Sequence, residues 1–249
     1  MSMARKLLGL VLLIPAIALA AEDVKLDRAP IDGGDLISLQ RGARVYVNYC
    51  LGCHSLGYMR YNRMQDLALS AWQIRDNLIF TGAKIGDLMK STMHPEQSKD
   101  WFGAAPPDLT VIARARSSSA GSGADWLYTY LRGFYRDPAR PNGWNNTVYP
   151  NVGMPHVLWQ LQGEQALKAE TVAGPGYPVE VQKLVLEKKG IMTPIEYDRM
   201  IADLVNYLDY VAEPARSSRT TLGIYVLLFL GIFWVLSYLL KKEFWKDVH

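Results

Sequence analysis

Two cysteines and one histidine give the clearest chemical signal in this sequence. Cys50 and Cys53 are the only cysteines among 249 residues, and His54 follows them directly, so residues 50–54 form a C-x-x-C-H pattern. Two thiols at this spacing can reach the two vinyl groups along one porphyrin edge, and the next imidazole then lies beneath the iron as an axial ligand. The pattern predicts one covalently attached haem c.

Two other chemistries use a C-x-x-C pair. A zinc site would need two further ligands, and without other cysteines only His94, His156 or carboxylates could supply them. A thioredoxin-like redox pair would be expected within a βαβ pattern, which the sequence lacks. A disulfide-stapled small fold is excluded by the cysteine count. Haem attachment is therefore favoured over both alternatives.

The sixth iron ligand decides between electron transfer and an open site for gas binding or catalysis. Met154 is one candidate, because it lies in the sequence Val152–Pro155 within a segment, 137–155, that is rich in Pro, Gly and Asn and is predicted to be irregular. A loop can carry such a side chain across the haem face. His156 and Met93 are rival candidates, although His156 is expected at the surface or at a propionate edge.

The N-terminus resembles a secretory signal peptide. Arg5 and Lys6 precede the apolar stretch 7–18, and small residues follow, so cleavage is predicted before Ala21 and residues 1–20 are assigned to the signal. The alternative is an uncleaved N-terminal anchor, but the apolar stretch is short for a full membrane span.

A second apolar run lies near the C-terminus. Residues 220–240 contain no charged residue, and as a helix they would extend over ~31 Å, which matches a bilayer core. A buried core helix is the alternative. We expect a single transmembrane helix in a bacterial cytoplasmic membrane, with residues 21–219 on the periplasmic side and residues 241–249 as a cytoplasmic tail.

The charge of the chain is too small to indicate a nucleic-acid surface. The formal net charge is only +3. Residues 1–20 contain two basic residues, and residues 241–249 contain three basic and two acidic ones, so 22 of each sign remain between them. The expected periplasmic domain is therefore neutral, and electrostatic steering of a partner would come from local patches.

The pattern of apolar residues predicts a mainly α fold with long loops and no run of alternating strands. A flexible surface loop is expected at Ser117–Gly123. Helices are predicted at 38–50 with Ser38 as N-cap, around 68–80, around 85–93, from Asp125 to Leu131, and from a capping box at Thr193–Glu196 to Glu213.

Beyond the haem motif, the sequence resembles the cytochrome c1 family, the haem subunit of the cytochrome bc1 complex (ubiquinol–cytochrome c reductase). The resemblance covers most of the chain in the family's order. It is carried by Arg41-Gly42, Val45-Tyr46, residues 50–56, Tyr61, Pro106–Thr110, Arg114–Arg116, Gly153–Pro155, Tyr207-Leu208 and Ala212–Pro214.

The resemblance implies a class I cytochrome c-like haem domain and a role for each site residue. Cys50 and Cys53 would form the thioethers, His54 would be the proximal iron ligand, and Met154 the distal one. The haem environment would include two further residues, with Arg116 near a propionate and Pro107 on the proximal side. No residue is expected to be catalytic, because the chain would act as an electron-transfer subunit and not as an enzyme by itself.

The partners implied by the resemblance are cytochrome b in the lipid bilayer, a Rieske iron–sulfur protein as electron donor, and a soluble or membrane-bound cytochrome c as acceptor. The complex is expected to be dimeric. Two alternatives stay open: an open-site haem sensor or enzyme, and a membrane-anchored cytochrome c outside any quinol-oxidising complex.

Overall fold

The computed structural model describes residues 25–173 and 178–247, so the predicted signal peptide and its cleavage site lie outside the described residues. The helices are α1 (Leu36–Val45), α2 (Ala71–Leu78), α3 (Pro95–Phe102), α4 (Ile112–Ala115), α5 (Gly123–Arg132), α6 (Trp159–Gln162), α7 (Pro194–Ala212) and α8 (Arg216–Phe244). The strands are β1 (Leu56–Arg60), β2 (Leu88–Met89), β3 (Phe134–Arg136), β4 (Trp144–Asn146), β5 (Gly163–Ala173) and β6 (Pro178–Lys189). The described part is mainly helical, as predicted.

The crossing of α1 and α7 organises the core of the domain. Gly42 permits it, because a Cβ at this position would lie 2.1 Å from the backbone oxygen of Asp203 and 2.6 Å from the Cβ of Tyr207. Arg41 adds a two-pronged ion pair, with its Nη2 donating to the Asp203 carboxylate at 2.8 Å. The rings of Tyr46 and Tyr207 lie 5.9 Å apart just beyond the crossing. The C-terminal end of α1 is therefore fixed against α7.

Three helix starts test the capping predictions. The box at Thr193 is confirmed, since its side chain and that of Glu196 cap the start of α7 reciprocally. Ser38 is not the N-cap of α1, because Asp35 takes this role and accepts from the Ser38 backbone N–H at 3.0 Å. Asp125 is not the N-cap of α5 but the third residue of this helix, and it closes a capping box whose N-cap is Ser122.

The segment expected as a flexible loop is tied down at the start of α5. The backbone of Ser118 pairs with that of Gly121, and the Ser117 hydroxyl accepts from the Gly123 backbone N–H at 3.0 Å. Gly123 also lies against α4, since a Cβ there would meet the Ala113 backbone oxygen at 2.0 Å. Close packing therefore explains one glycine of a segment whose composition had indicated only flexibility.

The structure has no helix at 85–93, where one was predicted. Asp87 instead closes a turn, with its carboxylate accepting from the Lys84 backbone N–H at 2.7 Å. Such local side-chain bonds compete with helix formation. The chain then forms the two-residue strand β2, which pairs antiparallel with β1. The helix predicted around 68–80 is present as α2.

A long two-stranded hairpin, β5–β6, was missed in the sequence. Its antiparallel register runs from the pair Gly163–Lys189 to the pair Ala173–Pro178. Ion pairs link the strands at Lys168–Glu187, Lys183–Glu170 and Lys188–Glu164. Lysine, glutamate and alanine are common in helices, so their abundance here hid the shorter alternation of valine and leucine in β6.

The helix α8 has the properties of a membrane span. Its segment Ser218–Phe244 comprises 27 residues with a mean hydropathy of 2.3, and none of the apolar window is buried in the structure. The predicted span 220–240 lies inside it. A buried core helix is therefore contradicted, and residues 25–173 and 178–247 contain one helix that is long and apolar enough to cross a membrane.

Gly42→Ala should lower the stability of the domain by at least about 2 kcal/mol, because the added methyl group cannot fit at the α1–α7 crossing. The melting temperature of the purified protein, followed by circular dichroism, measures the effect. Gly86→Ala is the matched control, since a Cβ at Gly86 has nothing within 4 Å and should change stability by less than about 0.5 kcal/mol. Equal melting temperatures for the two variants would contradict the close crossing.

Candidate haem-binding site

The C-x-x-C-H motif lies on one tight turn at the end of α1. A π-helical turn, Tyr46–Cys50, continues the helix, and the Cys50 carbonyl accepts from the backbone N–H groups of Cys53 at 3.1 Å and His54 at 2.8 Å. The Cys50 carbonyl thus accepts both hydrogen bonds that close the turn of the motif. This tight turn agrees with the spacing of the motif, in which two thiols and one imidazole must reach the same porphyrin.

The imidazole of His54 is oriented by a backbone carbonyl. Its Nδ1 lies 2.8 Å from the oxygen of Pro107. A carbonyl oxygen only accepts, so Nδ1 carries the proton and Nε2 keeps its lone pair free for a metal. Burial lowers the pKa of His54, and this effect outweighs the Pro107 carbonyl and the Asp108 carboxylate, which both raise the pKa. The neutral ring with a free Nε2 is the form that binds iron.

The Pro107 carbonyl is itself held in place by the neighbouring residue. Asp108 accepts from the backbone N–H of Gly57 at 2.6 Å and from that of Thr110 at 2.8 Å. The next backbone N–H, of Leu109, donates to the carbonyl of Ser55 at 2.9 Å. The segment after Pro107 is therefore fixed alongside the residues that follow His54.

The thiols do not have the character of a redox pair. Cys50 is buried, and burial raises the pKa of its thiol to about 12. Burial also raises the pKa of the half-buried Cys53. Reactive C-x-x-C pairs have lowered thiol pKa values, so this environment is the opposite of theirs. Zinc is disfavoured too, because residues 25–173 and 178–247 contain no group of three or more His, Cys, Asp or Glu side chains placed to hold a metal.

A second cluster surrounds Met154. The Tyr130 hydroxyl donates to Met154 Sδ at 3.3 Å, and burial raises the pKa of Tyr130, so this hydroxyl stays protonated. The Tyr130 ring stacks on Trp126 with centroids 4.7 Å apart. The Arg116 guanidinium lies over Trp126 at 4.5 Å and over Tyr149 at 5.6 Å. Arg116 and Met154 are thus joined through two aromatic rings.

Two asparagines that sequence reasoning missed shape the loop before Met154. Both are buried, with Asn145 only 7% and Asn146 only 1% exposed. Asn146 donates through Nδ2 to the Tyr130 carbonyl at 2.8 Å, while Asn145 accepts from the Asn151 backbone N–H at 2.8 Å. The segment 137–155 is rich in asparagine, and nothing in its composition distinguishes these two from exposed ones.

His156 is buried, so the expectation that it lies at the surface is wrong. Only 2% of it is exposed, and its ring stacks on Phe134 with centroids 4.7 Å apart and meets the edge of Trp144 at 5.0 Å. Burial lowers the pKa of His156 to about 4. The neutral ring is packed in the core against Phe134 and Trp144.

The site therefore has two parts that share one segment. Pro107 contacts the His54 ring, and Arg116, nine positions later, lies at the cluster around Met154. Within the described residues, no hydrogen bond or ring contact joins His54 to Met154.

The fold and this motif define the class of protein: a monohaem c-type cytochrome domain carried on one membrane helix. The sequence profile described as "Cytochrome C1 family" matches residues 28–248, and the chain belongs to this family. It is 49% identical to "Cytochrome c1" of Allochromatium vinosum over 90% of both chains. It is also 51% identical to "Ammonia monooxygenase gamma subunit" of Nitrosomonas europaea over 100% of both chains. A more distant relative is "Cytochrome c1, heme protein, mitochondrial" of Saccharomyces cerevisiae, 25% identical over 88% of this chain and 70% of the other.

Family membership confirms the mainly α haem domain with one membrane helix and a single covalently bound haem c. It also supports the role of a haem electron-transfer subunit of the bc1 complex, which is not an enzyme by itself. Cytochrome b and the membrane are the partners that follow from this assignment.

Asp108→Ala should destabilise the haem domain, because three donors around the Pro107 carbonyl lose their acceptor. We expect a loss of about 2 kcal/mol, which for a domain of this size lowers the melting temperature by about 4–8 °C. Circular dichroism in the haem absorption region measures it. Asp100→Ala, at an exposed position of α3, is the control and should leave the melting temperature within about 2 °C. A similar loss in both variants would count against a specific role for Asp108.

Proposed function

We propose that this chain takes electrons from a Rieske iron–sulfur protein and passes them to a soluble or membrane-bound cytochrome c, as the haem subunit of a quinol–cytochrome c reductase. The observation that carries the proposal is the orientation of His54. Its Nδ1 is engaged by the Pro107 carbonyl at 2.8 Å, which leaves Nε2 free beside two cysteines of the same turn. The buried second ring nitrogen of a metal-bound histidine has this kind of partner in most metalloproteins.

The residues that would hold the haem follow from this arrangement. Cys50 and Cys53 would form the thioethers, and His54 Nε2 the proximal iron bond. Met154 Sδ is the distal ligand in this proposal. When bound, the haem supplies one-electron oxidation and reduction at iron, and histidine–methionine ligation favours the ferrous state.

The surroundings of the rival ligands support Met154. The ring of His156 is enclosed between Phe134 and Trp144, so it is committed to the core. The backbone N–H of Met93 donates a hydrogen bond to the Ser91 hydroxyl. That hydroxyl in turn donates to the Gly52 carbonyl at 2.7 Å. Met93 therefore lies on the side of the C-x-x-C-H turn, whereas a distal ligand must come from the other side.

The polypeptide's contribution is to hold ligands and exclude water. The Pro107 carbonyl fixes the protonated nitrogen of His54, and the loop tied down by Asn145 and Asn146 presents Met154. Arg116 is proposed to pair with a haem propionate, since its guanidinium is held beside the Met154 cluster by two aromatic rings. Because no bond-making chemistry is involved, no general acid or nucleophile is needed.

The proposed location is the periplasmic face of a bacterial cytoplasmic membrane, after removal of residues 1–20. The helix α8 would keep the haem domain beside cytochrome b, which restricts the search for partners to the membrane plane and raises their local concentration. A dimeric complex is part of the proposal.

Met154→Leu should abolish the weak sulfur-to-iron absorption band and lower the reduction potential, because a thioether ligand is lost while the volume of the side chain is nearly kept. Absorption spectra and potentiometric titration of the purified protein measure both. Met200→Leu replaces a buried methionine of α7 and is the control, with an expected native spectrum. An unchanged spectrum in Met154→Leu would remove this residue from the ligand set.

Purification from membranes in mild detergent tests the partners. We expect the haem chain to be recovered with a cytochrome b and a Rieske protein, and the complex to oxidise a quinol while reducing cytochrome c. The proteins recovered with the chain also show whether it belongs to a quinol–cytochrome c reductase or to another complex. This matters because one relative bears the name of an ammonia monooxygenase subunit. Recovery of the chain alone, with normal haem content, would contradict the proposed assembly.

A further inference from the structure

The hydroxyl of Tyr130 is placed to act on the sulfur of Met154. It donates to Sδ at 3.3 Å, within the range for a hydrogen bond to sulfur. A thioether sulfur is a weak acceptor, so it attracts a hydroxyl only where the surroundings hold the two groups together. Tyr130 is 8% exposed and has little freedom to move away.

Several contacts fix the Tyr130 ring. Trp126 stacks on one side with an interplanar angle of 12°, and the edge of Phe134 meets it at 5.1 Å and 68°. The backbone carbonyl of Tyr130 accepts from Asn146 at 2.8 Å, and Asn146 also belongs to the loop that leads to Met154. The donor and the acceptor are therefore held by one shared network of contacts.

We infer that Tyr130 is a positioning residue for Met154, and that its hydroxyl orients the thioether and raises the reduction potential of the haem. This inference rests on the proposed role of Met154 as distal ligand. The hydrogen bond occupies one lone pair of the sulfur and leaves the other for the iron. The hydrogen bond also withdraws electron density from the sulfur. A sulfur that donates less electron density stabilises ferric iron less, and this loss is larger than for ferrous iron.

The test is Tyr130→Phe, which removes only the hydroxyl and keeps the ring in its stack. Tyr128→Phe is the matched control, because Tyr128 lies on the same helix with the same 8% exposure and its ring contacts Arg132 instead of the Met154 cluster. Potentiometric titration should show a lower potential for Tyr130→Phe. The ratio of oxidised to reduced protein at a fixed applied potential should rise by about two- to tenfold, where tenfold corresponds to about 59 mV for one electron.

A second readout follows from the orienting role. Imidazole added to the ferric protein competes with Met154 for the iron, and its affinity, read from the loss of the sulfur-to-iron band, should increase by about two- to tenfold in Tyr130→Phe. Tyr128→Phe should match the unaltered protein in both measurements.

The outcomes separate the two proposals. If Met154→Leu loses the band while Tyr130→Phe matches the control in potential and in imidazole affinity, Met154 is a ligand and the role of Tyr130 is overturned. If Met154→Leu keeps the band, the ligand assignment fails, and the inference about Tyr130 fails with it.

Discussion

The hydrogen bond between His54 Nδ1 and the Pro107 carbonyl is the interaction on which the site depends. It sets which ring nitrogen is free, and it requires that two segments distant in sequence lie side by side. The contacts of Asp108 with Gly57 and of Leu109 with Ser55 serve this alignment. An imidazole on a flexible turn could bind a metal in either tautomer, whereas this ring is committed to one.

The rest of the domain holds the two parts of the site by separate contacts. The α1–α7 crossing at Gly42 fixes the turn that carries the cysteines, since α1 runs directly into it. On the other side, α5 provides Tyr130, and the loop from Asn145 carries Met154 towards it. The turn with the cysteines and the cluster around Met154 are thus each held by contacts from more than one element.

Local signals in the sequence were sufficient where the physical cause is local. The spacing of Cys50, Cys53 and His54 is contained within five residues, the capping box at Thr193 within four, and the membrane helix is defined by one uninterrupted apolar run. Each of these predictions needs no knowledge of the remainder of the chain. The positions of Pro107 and Arg116 came instead from resemblance to a family.

The features that escaped prediction depend on distant partners. The hairpin β5–β6 is stable because its strands pair with each other, whereas its lysines and glutamates alone favour helix. Asn146 and His156 are polar residues that became buried only because other elements enclose them. The same holds for the Tyr130–Met154 contact, since no pattern in the sequence shows that a helix and a loop 24 positions apart meet at these two atoms.

The α1–α7 crossing also has a consequence for the order of events during synthesis. Arg41 and Asp203 are 162 positions apart, so the helix before the haem motif emerges from the ribosome long before its packing partner exists. Until α7 is made, Arg41 and Gly42 lack their partners at the crossing, because these partners are residues of α7. The core around the crossing therefore closes only after almost the whole haem domain has been synthesised.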